Sequence, residues 1–282
     1  MSIFVNGKLL DKITYPNNET LLLPEPRREI LMPRQFITLR FESDADLFRL
    51  YVLTKSFQTT VRRTNGDSET VNPAVLVLPY MPYSRADRSQ DGSVFTLKYV
   101  CEFINDLNFQ KVVVVEPHSR VTTQMLHRCV VVNGAKLLLD HIVQDRGDLG
   151  VDDWIVYPDR GAHERYQSLV TPGFGNIVMG TKVRDFETGK IESLKLPNMK
   201  VPEGSRALII DDLCSRGGTF VWCAEGLREM GFATVELAVT HFEKAGYNRT
   251  LFDALNHIYT TDSMEQQPGY SNVTVYPLGE IA

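Results

Sequence analysis

Two adjacent carboxylates followed by a glycine turn are the most informative chemical groups of the chain. Asp211 and Asp212 end a short apolar run, Gly217 and Gly218 follow them, and residues 219–230 have helical spacing. This order predicts a buried strand, a turn and a helix. Backbone N–H groups in such a turn bind anions, while carboxylates accept hydrogen bonds from sugar hydroxyls. The segment therefore suits a sugar phosphate. The alternative is a strand–helix turn with a solvated acidic pair.

The elements that must position these groups alternate between buried strands and helices from residue 74 onward. The predicted strands are 74–79, 111–116, 153–157, 176–180, 206–212, 235–240 and 258–260. The predicted helices are 94–107, 119–130, 162–169, 219–230 and 249–255. Such alternation is typical of α/β proteins with mainly parallel sheets, which bind ligands at the carboxyl ends of their strands. Before residue 70 the pattern is weak: it predicts strands at 37–41 and 48–53 and no helix of normal length.

The composition is that of an ordinary globular protein, with 43% hydrophobic and 23% charged residues among 282. A net charge of −5 gives no general attraction to nucleic acid or to an anionic membrane. No apolar run approaches the ~18 residues of a membrane-spanning helix, and the N-terminus has no apolar signal region. The four cysteines lack CxxC spacing, which indicates reduced, mostly structural thiols. We expect a cytoplasmic protein.

The acidic turn also resembles a known motif. The segment from Asp211 to Thr219 is similar to the phosphoribosyl-pyrophosphate loop of type I phosphoribosyltransferases and of ribose-phosphate pyrophosphokinases. The resemblance implies an α/β fold of two phosphoribosyltransferase-like, doubly wound domains with mainly parallel sheets. It also implies that the ribose phosphate is bound by Asp211, Asp212, Ser215, Arg216, Gly217, Gly218 and Thr219.

A second loop, residues 79–88, follows a predicted strand and combines aromatic rings with guanidinium groups. Aromatic rings stack on purines, and arginine binds phosphate oxygens through a planar fork. The loop looks like the ATP loop of ribose-phosphate pyrophosphokinases, which ordinary phosphoribosyltransferases lack. That resemblance implies ATP binding by Tyr83, Arg85, Asp87 and Arg88. The alternative is a polar surface loop with an Arg–Asp pair.

Two further strand ends resemble metal-binding segments of the same family. His118 lies where the family has a histidine that helps to bind the magnesium nucleotide, and Asp159 lies in a Pro-Asp-x-Gly loop whose aspartate contacts magnesium. The resemblance implies a Mg²⁺ site with His118 and Asp159 as ligands and His118 as a catalytic residue. Taken alone, His118 also suits a surface or capping role, and Asp159 suits the N-cap of a helix.

Lys182 and Arg184 follow another predicted strand and open a polar loop. Two cations on such a loop can neutralise the charge that develops during pyrophosphoryl transfer. Their spacing resembles the family's catalytic loop, so both are predicted to be catalytic; a solvated basic loop is the alternative. Glu19 lies in a weaker match to a loop that reaches the adenine of a neighbouring subunit, and it is predicted to bind ATP. This resemblance implies a homo-oligomer.

The resemblance sets the expected domains. Residues 1–140 would form an ATP-side domain without the family's first strand and helix before Thr14. Residues 141–272 would form the ribose-phosphate-binding domain, and residues 273–282 would return to the first domain.

The predicted function is a Mg²⁺-dependent transfer of the β,γ-diphosphoryl group of ATP to the anomeric hydroxyl of ribose 5-phosphate. Arg216 leaves the acceptor open, because an arginine in the turn also suits a larger 5′-substituent. ADP-ribose, as in short phage-type relatives that serve NAD biosynthesis, is therefore an alternative acceptor. A phosphoribosyltransferase and a non-catalytic regulatory homologue remain as alternative classes.

Overall fold

Two separate six-stranded sheets carry the helices of the chain. The computed structural model describes residues 3–23, 35–62, 68–71, 74–89, 92–147, 150–169, 176–184, 191–267 and 269–279. The residues up to Val132, with Gly279, belong to one unit, and Asn133–Leu278 form the second unit.

The first unit contains most of the short strands. Its strands are β1 (Ile3–Val5), β2 (Lys8–Leu9), β3 (Asp11–Thr14), β4 (Thr20–Leu23), β5 (Gln35–Leu39), β6 (Thr59–Arg62), β7 (Ser68–Val71), β8 (Ala74–Leu78), β9 (Lys111–Val115) and β10 (Cys129–Val132). Its helices are α1 (Asp44–Phe57), α2 (Thr96–Asp106) and α3 (Arg120–Met125). The sheet order is β10-β9-β8-β5-β1-β2, and β10, β9, β8 and β5 pair in parallel.

The central strands of this sheet form where the sequence is continuously apolar. Every residue of β8 is buried, as are the four valines of β9. Strands with both faces covered lack the polar alternation of a half-exposed sheet. Helix α2 buries Leu97, Val100, Cys101 and Ile104 at helical spacing. The predictions for these three elements are confirmed.

The prediction of a strand at 48–53 is wrong, because these residues lie within α1. The acidic segment before them is the start of the helix. Asp46 accepts hydrogen bonds from the backbone N–H groups of Glu42 and Ser43, both at 3.0 Å. A carboxylate in the first turn satisfies N–H groups that have no partner within the helix. The strands that were not predicted include β1, which lies before Thr14, and β10, which follows α3 and pairs with β9.

The second unit has a fully parallel sheet. Its strands are β11 (Asp153–Tyr157), β12 (Asn176–Met179), β13 (Thr181–Arg184), β14 (Ile191–Lys195), β15 (Arg206–Cys214), β16 (Thr234–Phe242), β17 (His257–Thr261) and β18 (Val273–Tyr276). Its helices are α4 (Gly134–Arg146), α5 (Arg160–Tyr166), α6 (Gly218–Met230) and α7 (Arg249–Ala254). The sheet order is β12-β11-β15-β16-β17-β18, and β13 and β14 form a separate hairpin.

The two faces of β15 pack against different helices. Leu208 and Ile210 belong to an apolar cluster with residues of α4 and α5, whereas Ala207 and Ile209 belong to a cluster with residues of α6. This follows from the two-residue period of a strand. The predicted α/β class with mainly parallel sheets is therefore confirmed. Helix α4 spans residue 140, and β18 pairs with β17 in the second unit, while Gly279 belongs to the first unit; the expected domain bounds stay a prediction.

Within the described residues, none of the helices is both long enough and apolar enough to cross a membrane.

The four cysteines are all free thiols, and Cys101, Cys214 and Cys223 are fully buried. Burial raises the pKa of Cys101 to about 12 and also raises the pKa values of Cys214 and Cys129. Because the thiolate is the reactive form, the fully buried thiols should be inert in the folded protein.

We therefore expect a thiol reagent at pH 8 to modify at most one cysteine, the partly exposed Cys129, in the native protein. All four should react in denaturant. A Cys129→Ser variant serves as the control and should lose the native reaction. Rapid modification of two or more thiols in the folded protein would contradict the buried positions.

Candidate active site

The turn after β15 has the geometry of an anion-binding loop. Gly217 adopts a left-handed conformation with φ of +83° and precedes the first residue of α6. The backbone N–H groups at the start of this 13-residue helix point toward the turn and carry partial positive charge. A Cβ at Gly217 would lie 2.8 Å from the side chain of Leu251. Conformation and packing therefore both require glycine at this position.

The turn is held by the segment that follows β16. The Ser215 hydroxyl donates a hydrogen bond to the Glu243 carboxylate, and the Glu243 N–H donates to the Cys214 carbonyl at 2.9 Å. Asn248, the N-cap of α7, donates to the carbonyl of Arg216 at 3.1 Å. Because the one proton of the Ser215 hydroxyl goes to Glu243, the remaining donors of the turn are mainly backbone N–H groups. The side chain of Arg216 is exposed.

Sequence reasoning missed Glu243 and Asn248. A signal for Asn248 was present, since asparagine before an apolar helical stretch is a common N-cap. Glu243 had no such signal, because its contact with Ser215 arises only when β15 and β16 lie side by side in the sheet.

The two acids of β15 have different environments. Asp212 is only 3% exposed, and its carboxylate lies 2.6 Å from the guanidinium of Arg165 on α5. Asp211 is half-buried, and its carboxylate accepts a hydrogen bond from the Asp212 N–H at 2.9 Å. Ribose binding by both acids therefore stays a prediction, and the geometry gives the two carboxylates different surroundings. Asp212 sits on the α5 side of the sheet and is already paired.

Arg165 is a third residue of the candidate site that sequence reasoning missed. Burial lowers the pKa of its guanidinium, but the charge of Asp212 and contacts with Asp212 and Tyr166 outweigh burial and raise the pKa overall. The guanidinium also lies over the Tyr166 ring, 5.8 Å from its centroid. Arg165 is therefore a permanent cation held between an acid and an aromatic ring.

Asp159 is the N-cap of α5. Its carboxylate accepts a hydrogen bond from the Ala162 N–H at 2.9 Å. This is the capping alternative for Asp159, and it engages one carboxylate oxygen. The adjacent loop is fixed to the next strand end, because the Gly180 N–H donates to the Tyr157 carbonyl at 2.8 Å. A Cβ at Gly180 would lie 2.8 Å from the Pro158 carbonyl oxygen.

Lys182 and Arg184 lie in β13, which pairs with β14 to form a hairpin with an irregular register beside Arg184. Their side chains, and residues 185–190, lie outside the described part of the structure. The hairpin is anchored at its base, since Leu196 after β14 packs on Gly226 of α6, where a Cβ would lie 2.8 Å from the leucine. The two predicted cations thus have a backbone that is tied to the helix of the acidic turn.

The predicted ATP loop of the first unit is ordered by Tyr83. This residue adopts a positive φ of 59°, and its hydroxyl donates a short hydrogen bond to Asp44 at the start of α1. That hydrogen bond, together with burial and the charge of Asp44, raises the pKa of Tyr83. The ring packs at a centroid distance of 5.9 Å from Phe41. Tyr83 therefore fixes the loop on α1. Arg85, two residues further along the loop, is exposed.

The same loop meets the loop that follows β9. Arg88 donates to both carboxylate oxygens of Asp87, at 2.9 and 3.3 Å. Burial raises the pKa of Asp87, but hydrogen bonds from Arg88 and Ser119 and the charges of Arg88 and His118 outweigh burial and lower the pKa overall. Asp87, His118 and Ser119 are therefore neighbours, as expected for two strands that end at one sheet edge.

Glu19 is exposed in the turn of the β3–β4 hairpin. Its backbone N–H donates to the Asn17 side chain at 3.2 Å. The structure gives its carboxylate no place within the first-unit loops described above.

Mg²⁺ fits these residues only as an ion that arrives with phosphate. No group of three or more His, Cys, Asp or Glu side chains within the described ranges is arranged to hold a metal ion by itself. Mg²⁺ commonly uses one or two carboxylates, several waters and the phosphates of its substrate. Asp159 is a carboxylate at a strand end that can supply such an oxygen in addition to capping α5.

Replacement of Gly217 tests the packing of the turn. Gly204 has nearly the same φ, +84°, but open space around its Cβ position, which makes it a matched control. We expect Gly204→Ala to lower the free energy of unfolding by about 1 kcal/mol through backbone strain alone. Gly217→Ala should lose about 1–3 kcal/mol more, because the methyl group collides with Leu251. Equal losses in urea unfolding would contradict the packing.

The lowered pKa of Asp87 predicts a pH-dependent contribution to stability. A carboxyl whose pKa is lower in the folded than in the unfolded state stabilises the fold above its unfolded value of about 3.9. That contribution is lost as the pH falls through the folded pKa. Asp87→Asn should therefore be less stable than wild type at pH 7, and the difference should shrink at acid pH. Asn at the exposed Asp11 is the control, and a difference that stays constant with pH would refute this origin.

Comparisons with known proteins agree with the geometry. No protein-family profile matches the chain. The ribose-phosphate pyrophosphokinase of Sulfurisphaera tokodaii is 27% identical over 207 residues, which cover 72% of this chain and 69% of that protein. The enzyme of the same name from Saccharolobus solfataricus is 26% identical over 247 residues, covering 85% of this chain and 78% of its own.

The fold has a solved counterpart. The crystal structure of phosphoribosylpyrophosphate synthetase from Mycobacterium smegmatis superposes with a TM-score of 0.72 and 18% identity, covering 95% of this chain and 86% of the other. That likeness supports the two-domain phosphoribosyltransferase-like fold, and several relatives in sequence carry the same family name. In sequence the chain is similar to ribose-phosphate pyrophosphokinases, which are diphosphokinase-type transferases, and in fold it is similar to a phosphoribosylpyrophosphate synthetase.

Proposed function

We propose that the protein transfers the β,γ-diphosphoryl group of ATP to the anomeric hydroxyl of ribose 5-phosphate, releasing AMP and phosphoribosyl pyrophosphate. The observation that carries this proposal is the turn after β15, where a left-handed Gly217 and the start of α6 follow two acids. This arrangement offers backbone N–H groups to a phosphate and the Asp211 carboxylate to ribose hydroxyls. The family names of the relatives agree with this chemistry.

The acceptor would be oriented by the second unit. Asp211 is the acid that remains accessible, so it accepts hydrogen bonds from the ribose hydroxyls, while Asp212 stays paired with Arg165. The backbone of residues 215–219 binds the 5′-phosphate, and Glu243 orients the Ser215 hydroxyl. The anomeric hydroxyl is then presented for attack on the β-phosphorus of ATP.

ATP would be bound by the loops of the first unit. Tyr83 holds the 79–88 loop on α1, so that Arg85 and Arg88 present guanidinium groups to the phosphates. His118 lies beside Asp87, and its contact with the polyphosphate is part of this proposal. As part of the same proposal, Glu19 binds the adenine of ATP held by a neighbouring subunit. The protein would then be a homo-oligomer in the cytoplasm.

Charge neutralisation would supply most of the catalysis, since phosphoryl transfer needs positioning and electrostatic stabilisation more than covalent help. Mg²⁺, when bound with ATP, neutralises phosphate charge, and Asp159 and His118 are the residues that would hold it. Lys182 and Arg184 would stabilise the charge that develops on the transferred group from their positions in β13.

A paired end-point assay tests the proposal. The purified protein is incubated with ATP and Mg²⁺ and with either ribose 5-phosphate or ADP-ribose, and the products are identified by mass spectrometry. We expect AMP and phosphoribosyl pyrophosphate in the first reaction. Product only with ADP-ribose would show that the acceptor is a diphosphate-linked ribose and not ribose 5-phosphate. The absence of AMP from both reactions would refute the pyrophosphokinase function.

Lys182→Ala isolates the proposed catalytic cation. Turnover should fall by a factor of about 10² or more, because a positioned charge in the transition state is lost, while the ATP affinity stays within severalfold. Lys195 on the paired strand β14 is exposed, and Lys195→Ala is the matched control. Near-normal turnover of Lys182→Ala would remove this residue from the mechanism.

A further inference from the structure

The pair between Asp212 and Arg165 lies at an unusual place for two charges. Asp212 follows Ile210 on the face of β15 that packs on α4 and α5, where the neighbouring side chains are apolar. An ionised carboxylate in such a place costs several kcal/mol unless a cation pairs with it. Arg165 supplies that cation at 2.6 Å.

Stability alone does not explain why the pair is there. Replacement of a buried ion pair by apolar residues of similar volume is often neutral or stabilising. The surrounding cluster already contains Tyr166, which is fully buried, so an apolar pair would suit this layer. What an apolar pair lacks is a charge-assisted contact at a set distance: here one guanidinium nitrogen of Arg165 lies 2.6 Å from one carboxylate oxygen of Asp212, which ties the helix to the strand.

Helix α5 connects this pair to the loop with Asp159. The helix has seven residues, begins at the Asp159 N-cap and carries Arg165 in its last turn. At about 1.5 Å per residue it behaves as one short rigid rod. Its end is also held by the Tyr157 hydroxyl, which donates to the Tyr166 carbonyl at 3.4 Å. A contact that fixes Arg165 against β15 therefore also fixes the position of Asp159 relative to Asp211.

We propose that Arg165 is a positioning residue for pyrophosphoryl transfer. By binding Asp212 it sets α5 against the end of β15, so that Asp211 and the 215–219 turn keep a fixed geometry toward the loop of Asp159. Arg165 acts through Asp212 and does not touch the substrate. This inference rests on the proposed function, because its purpose is to align the acceptor for attack.

The test compares Arg165→Lys and Arg165→Met with Arg160→Met. Arg160 lies on the same helix and pairs with Glu164 at the surface, with 86% and 54% of the two side chains exposed, which makes it a matched control. Three quantities are measured for each variant: the thermal unfolding midpoint, the affinity for ribose 5-phosphate without ATP or metal, and kcat.

Arg165→Lys should separate positioning from folding. Lysine keeps the charge but not the planar fork, so the unfolding midpoint should stay close to that of wild type. The affinity for ribose 5-phosphate should fall severalfold and kcat about 10-fold or more, since small displacements of reacting groups are costly. Arg165→Met should lose stability as well, because Asp212 is left unpaired. Arg160→Met should match wild type in all three measurements.

Wild-type values of affinity and kcat in Arg165→Lys would overturn the inference. Losses that disappear when the assay is run at a lower temperature, where each variant is fully folded, would also overturn it, because they would reflect folding alone. A wild-type protein that produces no AMP would refute the proposed function and this inference together, whereas active wild type with an unimpaired Arg165→Lys refutes only the inference.

Discussion

Burial of the central strands on both faces is the constraint that organises both units. A strand of this kind accepts a charged residue only near its end, and only with a partner for that residue. Asp212 at the end of β15 has Arg165, and Asp87 after β8 has Arg88 and Ser119. Arg165 lies on α5, and Ser119 lies after β9, so satisfying each charge also ties a neighbouring segment to the carboxyl ends of the strands. The contacts that satisfy these charges are therefore also the contacts that position the proposed site residues.

The elements that sequence reasoning predicted best are those with a continuous apolar signal, such as β8 and β9. Helix α1 was not predicted because apolar residues occupy its solvent-exposed face as well: Phe48 is 67% exposed, and Tyr51 is 41% exposed. Such residues blur the helical period. The motif residues around Gly217 were identifiable because a glycine turn requires particular residue types at consecutive positions of the sequence. Arg165 and Glu243 were not, since their partners are distant in sequence and meet them only in the folded sheet.

The site residues divide by role as well as by unit. In the second unit, contacts fix the segments proposed to bind the acceptor: a glycine turn held by Asn248, and an acid near a strand end. In the first unit, an aromatic residue with positive φ holds a loop of arginines on α1. Among the described residues of either unit, no group of three or more His, Cys, Asp or Glu side chains is arranged to hold a metal ion by itself.

The close approach at Gly180 has a consequence for how this protein tolerates substitution. Its N–H is bonded to the Tyr157 carbonyl, and a methyl group there would meet the Pro158 carbonyl oxygen. Tyr157 and Pro158 lead into the Asp159 loop, and Gly180 leads into the strand with Lys182. A single added methyl group would thus displace two loops at once. A substitution at Gly180 therefore requires both loops to change together.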